Sequence, residues 1–406
     1  MGELLQLAQV YRGWSKRRLA KELGRDASNI IPDSGIPKLD LVVRLATALD
    51  WPVQDIADAL GESTVVPRDQ LRTHETFEQL DRAAVRAHGE GRYADLVRLA
   101  TRAFDAATTA TERARACNRE LGGHDGQGHY RQALECAQRA LRETGMDLDW
   151  EMLIRSNLAN AHYSLWELYE GKGVAGDVVD ALKDSPDHSP ISSIALATAR
   201  YVRGNCLRRL IGFADARAST SAAQAIGELR QSSELFQSLA TELSIDSYGG
   251  IANTCEGGIV EAEVALGQSE PVDALERYVN ALDTLRSLDD CPKGDLLESY
   301  GWWCIFGCNV ALRHVADPRK LQHYMAIFTN KADEIANHLG NWALRERVFT
   351  MEFARRQRFA DWTGVHTDWT IDQDDLQRMT GTMGRFPMFQ KTGWEILRKA
   401  KIVREN

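Results

Sequence analysis

The chain has 406 residues, 44% of them hydrophobic, and carries a formal net charge of -9 at pH 7. That length accommodates one small domain plus a large one with a sizeable core. The acidic balance excludes a protein coated in basic surface, so any nucleic-acid contact must be confined to a local patch.

Leu4, Leu5, Ala8 and Tyr11 recur at helical spacing, so Glu3 to Tyr11 reads as a first helix that ends at Gly13. Ser15 suits an N-cap for a helix reaching Leu23, with Leu19, Ala20 and Leu23 inward and Lys16, Arg17, Arg18 and Lys21 outward. Gly24 makes a tight turn, Asp26 caps a third helix opening Ala27-Ser28-Asn29, and Pro32 cuts that helix short by removing a backbone donor. Lys38 to Leu49 presents a broad apolar face of Leu39, Val42, Val43, Leu45, Ala46 and Leu49. A last short helix, Pro52 to Leu60, uses Val53, Ile56, Ala57 and Leu60.

These five helices, with Leu19-Ala20 and Leu23-Gly24 ahead of the turn and LVVRLATAL after it, resemble the Cro-like and lambda-repressor-like helix-turn-helix family. The resemblance covers about the first 60 residues and implies contact with double-stranded DNA in the major groove. Ala27, Ser28 and Asn29 would then open the recognition helix and meet base edges, while Lys16, Arg17, Lys21 and Arg25 would lie against phosphates. Charge is divided accordingly. Residues 1–60 hold eight basic and eight acidic side chains, yet Arg12 to Arg25 has six basic residues against Glu22 alone, a net of +5. That places a basic face where the backbone would cross.

Gly61 to Glu75 is polar and aperiodic and reads as a linker; no proline follows until Pro186, which permits long helices. Ala84, Leu96, Ala100 and Ala103, with Gly91 and Tyr93 at the bend, recur as Gly128, Tyr130, Ala133, Ala137 and Ala140. Further copies fit Gly204, Ala216, Thr220 and Ala223, then Ala262, Ala274, Tyr278 and Ala281, with Asn309, Leu321, Met325 and Phe328 a weak fifth. The stretches Gly171–Gly176 and Asp184–Pro190 read as loops between copies. This pattern of about 34 residues is similar to the tetratricopeptide repeat, which implies stacked helical hairpins forming a solenoid with a concave inner groove.

In such repeats the groove is lined by first-helix residues one position after the small residue. Asn160 follows Ala159 and Asn205 follows Gly204, and each amide offers the donor and acceptor that an extended peptide backbone needs. Tyr163 and Arg208, three residues further on, would add an aromatic wall and a charge. The alternative is that the asparagines satisfy neighbouring helix ends. Arg200, Arg203, Arg208 and Arg209 read either as a carboxylate site or as a solvated helix face.

Nothing in the chain points to catalysis or a cofactor: there is no HExxH, no paired zinc spacing and no G-x-S-x-G elbow. The glycines from Gly122 to Gly128 follow a helix and lack the Lys-Ser/Thr of a phosphate loop, so they read as an inter-helix loop. Seven scattered cysteines, including Cys304 and Cys308 one turn apart, read as reduced core residues rather than metal ligands. No uninterrupted apolar run approaches the roughly 20 residues that cross a bilayer, and no charged-then-apolar leader precedes Gly13, so a cytoplasmic protein without membrane contact is expected. Tryptophans from Trp302 to Trp394 mark a non-repeat end that either caps the array or forms a dimer surface; Met383 to Pro387 breaks helices before a final helix, Trp394 to Val403.

The expected architecture is therefore all-α: a five-helix helix-turn-helix domain (1–62), a linker (63–75), an α-solenoid of tetratricopeptide-like hairpins (76–345) and a C-terminal helical cap (346–406). This domain order is similar to that of bacterial quorum-sensing regulators whose repeats bind a short signalling peptide. It implies a homodimeric transcription regulator with DNA and a peptide or protein as partners. The alternatives are an interaction scaffold whose helix-turn-helix does not read DNA and, more distantly, an enzyme with an unrecognised site.

Overall fold

The computed structural model describes residues 4–5, 8–9, 12–26, 30, 38–49, 53, 56–57, 75–184, 189–211, 218–283, 285, 288, 294–365 and 369–403. The chain forms two compact units, Met1–His74 and Glu75–Asn406. Among the described residues there are seventeen helices and one pair of three-residue strands, so the fold is all-α.

In the first unit, α1 (Lys16–Glu22) starts where Ser15 Oγ accepts the backbone N–H of Arg18 at 3.3 Å. Gly24 follows at φ 66, a backbone conformation that calls for glycine. α2 (Leu39–Leu49) completes a core of Leu4, Leu5, Ala8, Leu19, Leu23, Ile30, Leu41, Leu45, Leu49 and Ile56. The apolar face of α2 is narrower than its composition suggests: Leu39 and Val43 are exposed. Ala27, Ser28, Asn29, Pro32 and the linker before Glu75 lie outside the described residues.

The second unit opens with six helical hairpins. They are α3 (Phe77–Gly89) with α4 (Tyr93–Ala106), α5 (Ala110–Gly126) with α6 (Tyr130–Ala140), and α7 (Leu148–Ser164) with α8 (Leu168–Leu182). The array continues as α9 (Pro190–Leu210) with α10 (Ala218–Leu243), α11 (Asp246–Leu266) with α12 (Pro271–Leu282), and α13 (Asp295–His314) with α14 (Pro318–Leu339). Starts are written locally. Thr76 with Gln79 and Thr109 with Glu112 form capping boxes, and Pro190, Pro271 and Pro318 occupy first-turn positions where the missing N–H costs nothing. Ala84, Leu96, Ala100, Ala103, Ala133, Ala137, Ala140, Ala262, Tyr278, Leu321, Met325 and Phe328 are all fully buried between hairpins.

Several details differ from the sequence reading. Gly122, Gly123 and Gly126 lie within α5, and Gly171 and Gly176 within α8; Gly123, Gly126 and Gly171 serve close packing rather than turns. A Cβ on Gly126 would fall 2.5 Å from the Tyr93 ring, and one on Gly171 would lie 3.1 Å from the Ala159 carbonyl. The hairpin α7–α8 is thus a full copy hidden by its glycines. In α10 the register is displaced: Ala222, Ala225 and Leu229 are buried, whereas Thr220 and Ala223 are exposed.

α11 and α13 also approach closely: a Cβ on Gly257 would lie 2.6 Å from Trp303 Nε1 and 2.9 Å from Phe306 Cδ2. Alanine would raise helix propensity by about 1 kcal/mol, but overpacking costs about 1–3 kcal/mol. Gly257→Ala is therefore expected to lower the urea midpoint at constant m; an unchanged or higher midpoint would mean that the two helices can move apart.

After α15 (Trp342–Thr363) the chain leaves the repeat pattern. Strands β1 (Trp369–Ile371) and β2 (Ala400–Ile402) pair in parallel, Trp369 opposite Ala400, around α16 (Gln373–Arg385) and α17 (Pro387–Lys399). The helix break falls at Phe386, so the final helix begins earlier than expected, and Ala400–Ile402, beyond its basic last turn of Arg398 and Lys399, becomes strand. This module returns to the early repeats. Ile371, Met379, Met383, Phe386, Phe389 and Ile396 form one cluster with Tyr130 and Leu165, and Arg385 Nε donates to the Gln127 carbonyl at 3.2 Å. The tryptophan-rich end closes the array against its own second and third hairpins.

Candidate functional site

The basic residues of the first unit separate into two groups. Arg12 donates to the Ala48 and Thr47 carbonyls at 2.7 and 3.1 Å, tying the first helical segment to the end of α2. Arg25 pairs with Asp40 at 3.3 Å, and Arg18 lies over the Trp14 ring. Lys16, Arg17 and Lys21 are exposed, and none pairs with a described carboxylate. They sit within an arc of about 140° at 3.6 residues per turn, so they form one face of α1. The first turn of α1 carries no acid and three cations, Lys16, Arg17 and Arg18, at the helix end where positive charge is unfavourable.

The second unit contains a cavity of about 810 Å³. α7 contributes Trp150, Leu153, Asn157, Asn160 and Ser164, at steps of three and four that keep them on one stripe. α9 contributes Ile191, Ile194, Thr198 and Tyr201 in the same rhythm, and α5 contributes Asn118, Gly122 and Asp125. Asn157 Nδ2 donates to Asn118 Oδ1 at 2.9 Å, so an amide ladder crosses from α5 to α7, with Asn160 one turn on. The turn from Leu339 to Ala343 forms the opposite wall, a consequence of the closure of the array. Asn160 and Tyr163 both line this cavity as the repeat spacing predicts.

Asn205 and Arg208 do not. Asn205 is 1% exposed; its Nδ2 donates to the Tyr201 carbonyl at 3.0 Å and its Oδ1 accepts from Arg208 Nε at 3.1 Å. Arg208 is 2% exposed, paired with Glu261 at 2.5 Å and set over the Phe306 ring at 4.3 Å. The spacing rule locates the correct helix face, but in α9 the C-terminal half of that face is covered by α11 and α13. Asn118, which follows the buried Cys117 as Asn160 follows Ala159, and Asn157 are groove amides that the sequence analysis does not single out.

Arg208 instead lines a second cavity of about 220 Å³ with Trp166, Arg209, Glu261, Trp302, Ile305, Asn309, Arg313 and Arg347. Arg200 and Arg203, grouped with it in the sequence, both pair with Glu228 and lie outside this cavity.

Elsewhere, Glu120, His124 and Cys136 place three metal-capable atoms within 4.8 Å of one another. Arg139 hydrogen-bonds Glu120 and donates to Cys117 Sγ at 3.2 Å, filling the cluster with a guanidinium, and burial raises the Cys136 thiol, so the donor set is poor for a cation. The six described cysteines are buried free thiols; burial pushes Cys206 and Cys255 up to about 12, which makes them inert packing residues. No described helix is long and apolar enough to cross a membrane.

No family model matches the chain, and no curated protein matches it. Among solved structures it is similar to Bacillus thuringiensis PlcR in complex with the peptide PapR7 and DNA, at 13% identity, covering 73% of this chain and 95% of that chain with a TM-score of 0.38. A likeness of that size adds nothing to the fold derived from the chain's own packing.

Proposed function

We propose that the protein is a DNA-binding transcription regulator whose helical array holds an extended peptide or a protein segment, and that it acts as a homodimer. The observation that carries the DNA reading is the first turn of α1. Lys16, Arg17 and Arg18 crowd cations at the end of the helix that disfavours them, and Lys16 and Arg17 have no described acidic partner. Such an arrangement costs stability unless an external anion such as a phosphate backbone compensates it. Arg25, with its charge shared with Asp40, would add to the backbone contact, and Ala27, Ser28 and Asn29 would read bases.

For the array, Asn118, Asn157 and Asn160 supply amides in series beside Trp150, Tyr163 and Tyr201, a lining suited to main-chain hydrogen bonding with aromatic side-chain pockets. Ligand binding regulates the DNA-binding heads only if it favours one dimer arrangement over another. The deciding experiment is to cross-link the protein in its native host and sequence the DNA recovered with it. Sharp enrichment of a few sites with a shared motif is expected. Recovery indistinguishable from genomic background would reject the regulator in favour of an interaction scaffold.

A further inference from the structure

The smaller cavity has a charge problem that the proposed regulator does not use. Four guanidinium groups, Arg208, Arg209, Arg313 and Arg347, line it with one carboxylate, Glu261. Glu261 is already shared between Arg208 at 2.5 Å and Arg313 at 3.1 Å, and accepts a further hydrogen bond from Asn309 at 3.2 Å. A second acid, Glu346, lies 3.8 Å from Arg347. Arg209 has no carboxylate partner among the described residues: its Nη1 donates to the Tyr163 carbonyl at 3.3 Å, and its guanidinium lies 3.8 Å from the Tyr163 ring centre and 4.3 Å from that of Trp166. Counting both acids, the site keeps two excess positive charges in a largely buried setting. Burial, with Arg347 and Arg208, lowers the Arg209 pKa and outweighs the raising effect of Tyr163 and Glu346.

The backbone supplies a second, independent observation. Four other helix turns in the array place glycine in the left-handed region with the same pair of hydrogen bonds: Gly91 at φ 69, Gly128 at φ 73, Gly267 at φ 77 and Gly340 at φ 65. Between α7 and α8 that position is Trp166, at φ 66, with its N–H on the Tyr163 carbonyl and the next N–H on that of His162. A bulky residue is costly there, and strain of this kind persists where a side chain is needed. The Trp166 ring is one wall of the cavity and stacks on Arg209 and Arg347; Trp302, which also lines the large groove, stands among the remaining wall residues.

We propose that this cavity is a binding site for a carboxylate carried on a flat apolar body. A planar carboxylate meets the fork of a guanidinium edge-on with two parallel hydrogen bonds, and stacked arginines present their edges rather than their faces. The tryptophans accept the apolar body, and the volume admits a single ring-sized group. The carboxylate belongs either to a free aromatic acid or to the carboxyl end of a peptide lying in the adjoining groove, which Trp302 joins to this site.

The test is calorimetric titration of the full-length protein with phenylacetate, N-acetylphenylalanine and, as the uncharged control, phenylacetamide. Phenylacetate is expected to bind at least tenfold tighter than phenylacetamide, and Arg347→Met to lose at least tenfold in phenylacetate affinity. Arg347→Met removes one of the two excess positive charges but also the 3.8 Å pairing with Glu346, so the ligand-free variant is expected to melt near the wild-type temperature. N-acetylphenylalanine binding as tightly as phenylacetate assigns the peptide end as the source; weaker binding assigns a free acid. Equal affinity for acid and amide, or no heat with phenylacetate at about 10 mM, overturns the site whether or not Arg347→Met folds, and neither result bears on DNA recovery.

Discussion

Lys16→Glu combined with Arg17→Glu is expected to weaken DNA binding by at least about 100-fold near 0.1 M salt and to make the salt dependence shallower by about two logarithmic units per decade. Each phosphate contact releases roughly one counter-ion, and two reversals replace attraction with repulsion on the same helix face. The fold should not suffer. Both side chains are exposed, neither pairs with a described acid, and two glutamates in the first turn of α1 complement the helix dipole that the native cations oppose. Thermal stability is expected to stay level or rise slightly, by a few tenths of a kcal/mol per substitution. Arg12 makes the contrasting control, because its hydrogen bonds to the Ala48 and Thr47 carbonyls hold the unit together. Arg12→Gln should lower stability as well as binding. If the double variant retains wild-type affinity and salt slope in an electrophoretic or fluorescence titration, the basic face of α1 does not touch DNA.

The parts of this architecture that the sequence disclosed are those governed by local spacing. Ala84, Leu96, Ala100 and Ala103 are legible because a helix that must approach another closely tolerates only small side chains at steps of three and four. The turn glycines Gly24, Gly91 and Gly128 are legible because only glycine takes their positive φ without strain. Glycine is also where the reading fails. In Gly171 and Gly126 the missing side chain serves a neighbouring helix rather than a turn, and nothing local separates the two uses. Non-local features were out of reach for a different reason. Arg385 meets Gln127 across 258 positions, and no periodicity announces that the C-terminal module will close the array. Asn205 sits at the correct point of its repeat, but its exposure was decided by Glu261 and Arg208, whose encounter spans 53 positions.

Glu261→Ala is expected to cost about 3–5 kcal/mol of folding stability, the largest effect of any single substitution proposed for this protein. Glu261 is 1% exposed on α11 and joins three helices, accepting from Arg208 of α9 and from Asn309 and Arg313 of α13. Removing it leaves Arg208, 2% exposed, with only the Asn205 amide oxygen and the Phe306 ring, neither of which neutralises a buried charge. Burial alone would pull the Arg208 pKa down, and Glu261, with Tyr163 and Tyr201, offsets this and leaves it raised. Arg208→Met with Glu261→Leu should therefore recover most of the loss, since replacing both charges with apolar groups removes the desolvation cost along with the attraction. A double-mutant cycle followed by urea unfolding, with m checked for constancy, measures this directly. A loss below about 1 kcal/mol for Glu261→Ala would show that water or a bound anion reaches Arg208. Adding phenylacetate separates those two cases, because the excess positive charge left by Glu261→Ala should make a carboxylate stabilise the variant more than it stabilises the native protein.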